Sequence, residues 1–170
     1  MRLENILAWD ARFTAGLRIA EKPGPLRALA AVLAHSGDSW FWILGLALLW
    51  WRSEPYWQVR AWTMGLGVLV TALVVMTLKF TIRRRRPEGQ WGNLYRKTDP
   101  HSFPSGHATR AVMLATITLG LGPSWLAVLL MVWAPLVGLA RVAMGVHYLS
   151  DVLAGAVLGA LMGVAVLVFL

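Results

Sequence analysis

The sequence predicts an all-α protein, a polytopic membrane bundle of five to six transmembrane helices preceded by an amphipathic helix. Composition is the first observation: hydrophobic residues make up 58% of the 170 residues and charged residues 14%, against roughly 45–50% and about 25% in soluble domains. The second is the ten tryptophans, because indole rings are enriched at the two membrane–water interfaces. Mean hydropathy is +0.60. We therefore expect residues 1–170 to form a single integral membrane domain.

The chain is strongly basic and contains no cysteine. Sixteen Lys and Arg against eight Asp and Glu give a formal net charge of +8, which favours anionic partners such as lipid headgroups and phosphate esters. The same charge would suit nucleic acid, but the high hydropathy argues against that class of partner, and none is expected. The absence of cysteine excludes disulfides, thiolate catalysis and Cys-ligated zinc.

Residues 1–22 are expected to form an amphipathic segment at the membrane surface. Apolar residues recur there at spacings of three and four between charged ones, which is the pattern of an interfacial helix. Pro23 and Pro25 follow and break the helix.

Uncharged runs locate the membrane spans, since a transmembrane helix needs about 20 mainly apolar residues. Residues 61–78 and 152–170 are two such runs, whereas the run at 111–140 is too long for one span. The segment 120–124, Gly-Leu-Gly-Pro-Ser, lies near its middle and predicts the turn of a tight helical hairpin.

Two shorter uncharged runs precede these spans, at residues 28–37 and 39–51, separated only by Asp38. Either they form two short helices bent at the segment 35–38, or the second run spans the membrane while the first stays at the interface. The sequence leaves both alternatives open.

The polar stretch at residues 79–110 lies between two apolar spans and is predicted to be an active-site loop, because long loops in compact domains are usually functional. It contains the basic run 83–86, which by itself could equally be a membrane anchor or a topology signal. Ser105, Gly106 and His107 lie where the next apolar helix starts. They could simply shape that junction, with Ser105 as the helix cap. They could also bind phosphate at the helix N-terminus, with His107 moving a proton.

A third polar cluster begins the last apolar run. His147 and Asp151 are four residues apart, so on a helix they share one face and the carboxylate can reach the imidazole ring. A carboxylate that fixes the ring tautomer is what a histidine nucleophile or general base requires. The alternative is a structural polar pair at a helix end.

Taken in chain order, the polar clusters form three motifs: Lys79-x6-Arg86-Pro87, Pro104-Ser105-Gly106-His107 and Arg141-x5-His147-x3-Asp151. This ordered set resembles the three-part signature of the type 2 phosphatidic acid phosphatase (PAP2) family. The upstream segment His35-Ser36-Gly37-Asp38 also looks like the loop that often precedes the signature in small bacterial members. One departure is Ala140, where many members carry Ser before the third-motif arginine.

The resemblance implies a role for each motif residue. His147 would be the nucleophile that forms a phosphohistidine, Asp151 would orient its ring, and His107 would protonate the leaving oxygen. The groups that would bind the phosphoryl oxygens are Lys79, Arg86, Ser105, the Gly106 amide and Arg141. The remaining arginines of the basic run, residues 83–85, are expected to face solvent or headgroups.

The resemblance further implies an integral membrane lipid phosphatase that needs no metal or other cofactor. The sequence agrees, since Asp151 is the only acidic residue after Asp99 and no acidic cluster could hold magnesium. The expected substrates are undecaprenyl pyrophosphate, phosphatidylglycerol phosphate or phosphatidic acid. A lipid phosphotransferase using the same histidine is the alternative enzyme, and a non-catalytic protein that binds anionic lipid is a remote one.

Sidedness is the one point on which two arguments conflict. The basic residues of 79–110 favour a cytoplasmic loop by the positive-inside rule, whereas the family resemblance implies a site facing the outside of a bacterial inner membrane. We follow the resemblance, because cations recruited to bind phosphate give the rule a reason to fail. The oligomeric state has no sequence signal.

Overall fold

The computed structural model of the chain describes residues 3–95 and 99–169. Regular structure in this part of the chain is helical, and one isolated bridge joins Arg85 to His101. The all-α prediction is thus confirmed. The helices are α1 Leu3–Gly16, α2 Pro25–His35, α3 Ser39–Arg52, α4 Pro55–Ile82, α5 Gln90–Tyr95, α6 Gly106–Leu121, α7 Ser124–Ala143 and α8 Leu149–Phe169.

Within residues 3–95 and 99–169, three helices are long and apolar enough to cross a membrane, namely α4, α7 and α8, with 28, 20 and 21 residues. The pair α2 and α3 passes the same test together but bends by 53° at its break, so it could count as a fourth. Helix α6 has 16 residues, which is short for a span. The predicted count of five to six spans therefore stays a prediction.

The predicted hairpin forms as expected, with α6 ending at Leu121 and α7 beginning at Ser124. At this turn Arg60 of α4 donates from Nε to the Gly122 carbonyl at 3.2 Å. Unpaired carbonyls at a helix end need such partners. This end of the bundle is opposite to the end where α6 begins.

The break between α2 and α3 lies at residues 36–38, which agrees with two helices bent at the predicted segment. Trp42 and Trp133 hold this break, because their indole nitrogens donate to the carbonyl and hydroxyl of Ser36 at 2.9 and 2.8 Å. A Cβ on Gly37 would lie 3.2 Å from the His107 ring. Glycine therefore lets the loop contact the start of α6 directly.

Helix α6 occupies the centre of the bundle and packs on α4, α7 and α8. Buried glycines at 155, 159 and 163 line the α8 face against α6, and small residues let two membrane helices approach closely. A Cβ on Gly155 would lie 2.7 Å from the Ser105 carbonyl. The Ser105 amide also donates to the Asp151 carbonyl at 3.0 Å, so the starts of α6 and α8 meet.

Large apolar side chains face outward along the long helices, for example Leu73, Val128 and Leu161, which are 71%, 65% and 63% exposed. A soluble protein rarely exposes such continuous apolar surface. Together with the spanning helices, this outer surface indicates an integral membrane protein.

Helix α1 ends at Gly16, so it is shorter than the predicted segment 1–22. It leaves Trp9 and Phe13 exposed and turns Asp10 and Thr14 toward the bundle, where both are buried. Its position at a membrane surface stays a prediction.

Candidate active site

The three motifs meet at one end of the bundle. Lys79 lies in the last turn of α4, Arg141 in the last turn of α7 and Asp151 in the first turn of α8. Alternating helix directions allow this convergence, and the structure brings together all the residues to which the motifs assign a role. Those residues are Lys79, Arg86, Ser105, Gly106, His107, Arg141, His147 and Asp151.

His147 lies in the loop between α7 and α8 and is 1% exposed. Its Nε2 is 3.2 Å from Nη1 of Arg86, and its Nδ1 is 3.5 Å from Oδ2 of Asp151. Because a guanidinium only donates, Nε2 accepts this contact and carries the lone pair, which leaves the ring proton on Nδ1 beside Asp151. Burial lowers the pKa of His147 below its ordinary value, and the cations Arg86 and Arg141 lower it further, so the ring is neutral.

Asp151 is fully buried and its two oxygens have separate partners. Oδ2 accepts from the Tyr148 amide at 2.9 Å, while Oδ1 accepts from Nη1 of Arg84 at 2.8 Å. The same Arg84 donates from Nη2 to Asp10 of α1 at 2.6 Å. The expectation that residues 83–85 face solvent is wrong for Arg84, because it is drawn in by two carboxylates.

Three cations surround the imidazole and are almost completely buried: Lys79, Arg86 and Arg141 are 4%, 2% and 1% exposed. Buried charges need compensating partners, and Asp99 supplies one. Its carboxylate pairs with Lys79 and accepts from Nη2 of Arg86 at 2.7 Å. Burial alone would raise the pKa of Asp99, but Lys79 and Arg86 together lower it below its ordinary value, so the group is ionised.

Sequence reasoning gave Asp99 no role, yet its carboxylate lies between two cations that the motifs assign to phosphate. A carboxylate and a phosphate are both anions that arginine binds through paired donors. In the structure, the cations Lys79 and Arg86 thus already bind an oxyanion, the carboxylate of Asp99.

Three polar atoms of the cluster are buried without a hydrogen-bond partner among the described residues: Nε of Arg141, the hydroxyl of Ser105 and Nδ1 of His147. Native proteins rarely leave buried polar atoms unpaired. Arg141 otherwise contacts Tyr95, donating to its hydroxyl at 3.2 Å. Unpaired donors beside buried cations are what a site that receives phosphoryl oxygens requires.

His107 opens α6 and is paired with a carboxylate that the sequence left without a role. Its Nε2 lies 2.7 Å from Oδ1 of Asp38, in the break between α2 and α3. The other Asp38 oxygen is 3.0 Å from Nδ1 of His35. The segment 35–38 was visible in the sequence as a family-like loop, but its contact with the second motif was not.

No group of three or more His, Asp or Glu residues within 3–95 and 99–169 is arranged to hold a metal ion. Independence from metal and other cofactors remains a prediction for experiment.

Comparison with known sequences agrees with this geometry. The model of the PAP2 superfamily matches residues 60–170, which is more than half of the chain. A decaprenylphosphoryl-5-phosphoribose phosphatase of Mycobacterium tuberculosis is 35% identical over 150 residues, covering 87% of this chain and 82% of that protein. An undecaprenyl-diphosphatase of Sulfolobus acidocaldarius is 30% identical over 141 residues, covering 79% and 66%.

Two solved structures share the fold. The transmembrane PAP2-type phosphatidylglycerolphosphate phosphatase of Bacillus subtilis has a TM-score of 0.77 at 24% identity, covering 97% of this chain and 86% of that one. LpxE of Aquifex aeolicus has a TM-score of 0.70 at 23% identity, covering 90% and 93%. From the family match and the sequence relatives, the chain belongs to the PAP2 superfamily of membrane lipid phosphatases.

Proposed function

We propose that this protein hydrolyses a phosphate ester or diphosphate of a membrane lipid through a phosphohistidine on Nε2 of His147. One observation carries the proposal: Nε2 lies 3.2 Å from the Arg86 guanidinium, while Nδ1 lies 3.5 Å from the Asp151 carboxylate. Because the guanidinium can only donate, the lone pair is on Nε2 and the ring proton on Nδ1. A neutral imidazole held in this tautomer is a competent nucleophile.

In the first half-reaction, the substrate phosphoryl group replaces the Asp99 carboxylate between Lys79 and Arg86. The Ser105 hydroxyl and the Gly106 amide at the start of α6 add donors, since a helix N-terminus favours anions. Nε2 then bonds to phosphorus as the bond to the leaving oxygen breaks. The cations hold the oxygen charge through the transition state.

His107 gives its proton to the leaving oxygen in this scheme. Asp38 accepts a hydrogen bond from Nε2 of the ring and favours its protonated form, whereas burial and Arg141 hold the pKa of His107 well below its ordinary value. The protonated ring is therefore a strong acid, and Nδ1 is the atom that delivers the proton. In the second half-reaction neutral His107 takes a proton from water, the resulting hydroxide attacks phosphorus, and the bond to His147 breaks to release phosphate.

Substrates with a lipid tail in the bilayer and phosphate at its surface fit this location. The candidates are undecaprenyl pyrophosphate, phosphatidylglycerol phosphate and phosphatidic acid. Relatives named for prenyl-linked phosphates support the first kind. We place the site on the outer side of a bacterial cell membrane.

Phosphate release by the purified protein in detergent with EDTA, on a panel of these lipids, tests the proposal. We expect release from at least one lipid and none from the variant His147→Ala. Brief reaction with 32P-labelled substrate should leave a label on the protein that is stable to base and lost in acid, as for phosphohistidine. Full turnover by His147→Ala would contradict the mechanism, and transfer to an added lipid alcohol in place of phosphate release would favour the phosphotransferase.

A further inference from the structure

A cavity of about 210 Å³ lies beside the cation cluster, between α4 and α6. Its lining shares Lys79, Asp99, Gly106 and His107 with the proposed site. Within the described residues, His147, Arg86 and Arg141 do not line it. The cavity is therefore on the side of the proposed proton donor, away from the nucleophile.

This placement determines which part of a substrate the cavity receives. In phosphoryl transfer the attacking and leaving atoms lie roughly in line on opposite sides of phosphorus. With Nε2 of His147 on one side, the leaving group lies on the side of His107. The part of the lining around Arg110 and Thr71 therefore contacts the lipid-bearing side of the substrate. Lys79, Asp99 and Gly106 border the phosphoryl group that is transferred.

Arg110 gives this cavity a buried positive charge. It is 8% exposed, and its guanidinium donates to the Gly37 carbonyl and the Ser39 hydroxyl, both neutral oxygens. No carboxylate of the described residues lies within ion-pairing distance, and Asp38 acts on it only at longer range while paired with His107. A buried charge without an ion pair is costly, which favours an anionic ligand.

A second, independent feature also indicates a polar ligand. The hydroxyl of Thr71 lines the same cavity, is 2% exposed and has no hydrogen-bond partner. The neighbouring α4 wall is apolar, with Ala72, Val75 and Met76. Beyond the residues that it shares with the proposed site, the cavity thus combines the Arg110 cation and the free hydroxyl of Thr71 with a wall suited to hydrocarbon.

We infer that this cavity binds a second phosphate, joined directly to the one that is cleaved, and that Arg110 makes the enzyme selective for lipid diphosphates. Arg110 follows His107 by three residues, about 4.5 Å along α6, so it lies near the group beyond the oxygen that His107 protonates. Phosphatidic acid has no second phosphate and would leave Arg110 without a partner. The inference rests on the proposed function and deepens it.

Farnesyl diphosphate and farnesyl monophosphate test the inference, because they differ only in the second phosphate. We expect Arg110→Gln to lower the ratio of kcat/KM for diphosphate over monophosphate by about tenfold to a hundredfold, the range for a lost hydrogen bond to a charged group. If Arg110 only supports the loop that carries Asp38, proton donation suffers instead. The monophosphate has the poorer leaving group, so its kcat/KM would then fall more than that of the diphosphate. The ratio of kcat/KM for diphosphate over monophosphate would rise. An unchanged or raised ratio overturns the inference.

Thr71→Val provides a variant that keeps side-chain shape and leaves the Asp38 loop untouched. We expect the same ratio to fall by about twofold to tenfold, as for a neutral hydrogen bond. The matched control is Thr63→Val, since Thr63 lies on the same helix and bonds back to the Val59 carbonyl at 2.9 Å. If Arg110→Gln does not fold, the diphosphate-to-monophosphate ratio of kcat/KM in Thr71→Val tests the inference alone. Wild-type protein that releases phosphate from neither lipid contradicts the proposed function as well, whereas turnover with unchanged ratios contradicts the inference alone.

Discussion

Arg84 donates a hydrogen bond from Nη1 to Oδ1 of Asp151 at 2.8 Å. The carboxylate that faces the His147 ring is therefore held by a residue of the basic run, and through Arg84 it is also linked to Asp10 of α1. This chain of contacts joins the N-terminal helix to the proposed catalytic pair.

The first prediction concerns Arg84 as a positioning residue. We expect Arg84→Ala to lower kcat by about tenfold to a hundredfold with little change in KM, because Asp151 loses a charged hydrogen bond. Arg83 and Arg85 are exposed, so Arg83→Ala and Arg85→Ala are matched controls. Their kcat should stay within about twofold of the wild-type value, because surface substitutions usually have small effects. Equal losses in all three variants, measured by steady-state kinetics, would mean that the run acts only as a diffuse charge.

The contact between Asp38 and His107 predicts a dependence on the leaving group. Asp38→Asn keeps the size of the side chain but removes the charge that stabilises protonated His107. We expect turnover of an alkyl phosphate to fall by about a hundredfold or more, as for the loss of general acid catalysis. An aryl phosphate, whose leaving group needs no proton, should be affected far less. Equal losses on both substrates would indicate a structural role for Asp38.

Asp99 predicts a change in anion affinity. Because its carboxylate lies between Lys79 and Arg86, it competes with phosphate for the same cations. We expect inorganic phosphate to inhibit Asp99→Asn more strongly than wild type, by about threefold or more in the inhibition constant, since one buried competing charge is removed. Weaker inhibition would show instead that Asp99 arranges the cations for phosphate.

The low pKa of His147 predicts its protonation state. Burial and the neighbouring cations hold the pKa below 6.5, so the ring stays neutral as the pH falls to that value and charges only in more acidic solution. NMR of protein labelled with 15N-histidine, with the signal assigned by its loss in His147→Ala, should show a neutral ring protonated on Nδ1 at pH 6.5. An imidazolium at that pH would contradict the proposed nucleophile.

Sidedness is testable because the chain lacks cysteine. Three cations of the active-site loop, Lys79, Arg84 and Arg86, are paired with carboxylates, which reduces their weight as a topology signal and supports an outward site. A single cysteine for labelling can be placed at Asn93, which is exposed. The neighbouring Gly92 is unsuitable, because it is buried and a side chain there would clash with the Pro87 carbonyl.

We therefore expect Asn93→Cys to react with an impermeant maleimide in intact cells. The control is Glu54→Cys at the opposite end of α4, which should react only after lysis. The reverse pattern of labelling would place the site in the cytoplasm.

Composition and the spacing of charged residues alone predict the long apolar helices and the 120–124 turn. The alternating direction of successive spans allows the three motifs to meet at one end. These are local properties, because an apolar run either is or is not long enough to cross a bilayer and successive spans alternate in direction. The motif residues Lys79, His107 and His147 could be named because their order and spacing resemble the PAP2 signature.

The contacts that refine the site could not be read from the sequence. Asp38 meets His107 across 69 positions, and Arg84 meets Asp151 across 67. Which of several neighbouring arginines points inward depends on the rotation of α4 and on where α1 packs, and the place of Asp99 depends on the path of a loop. The cost of burying charge determines which arginine is buried, because a cation removed from water is stable only where the folded chain brings a carboxylate to it.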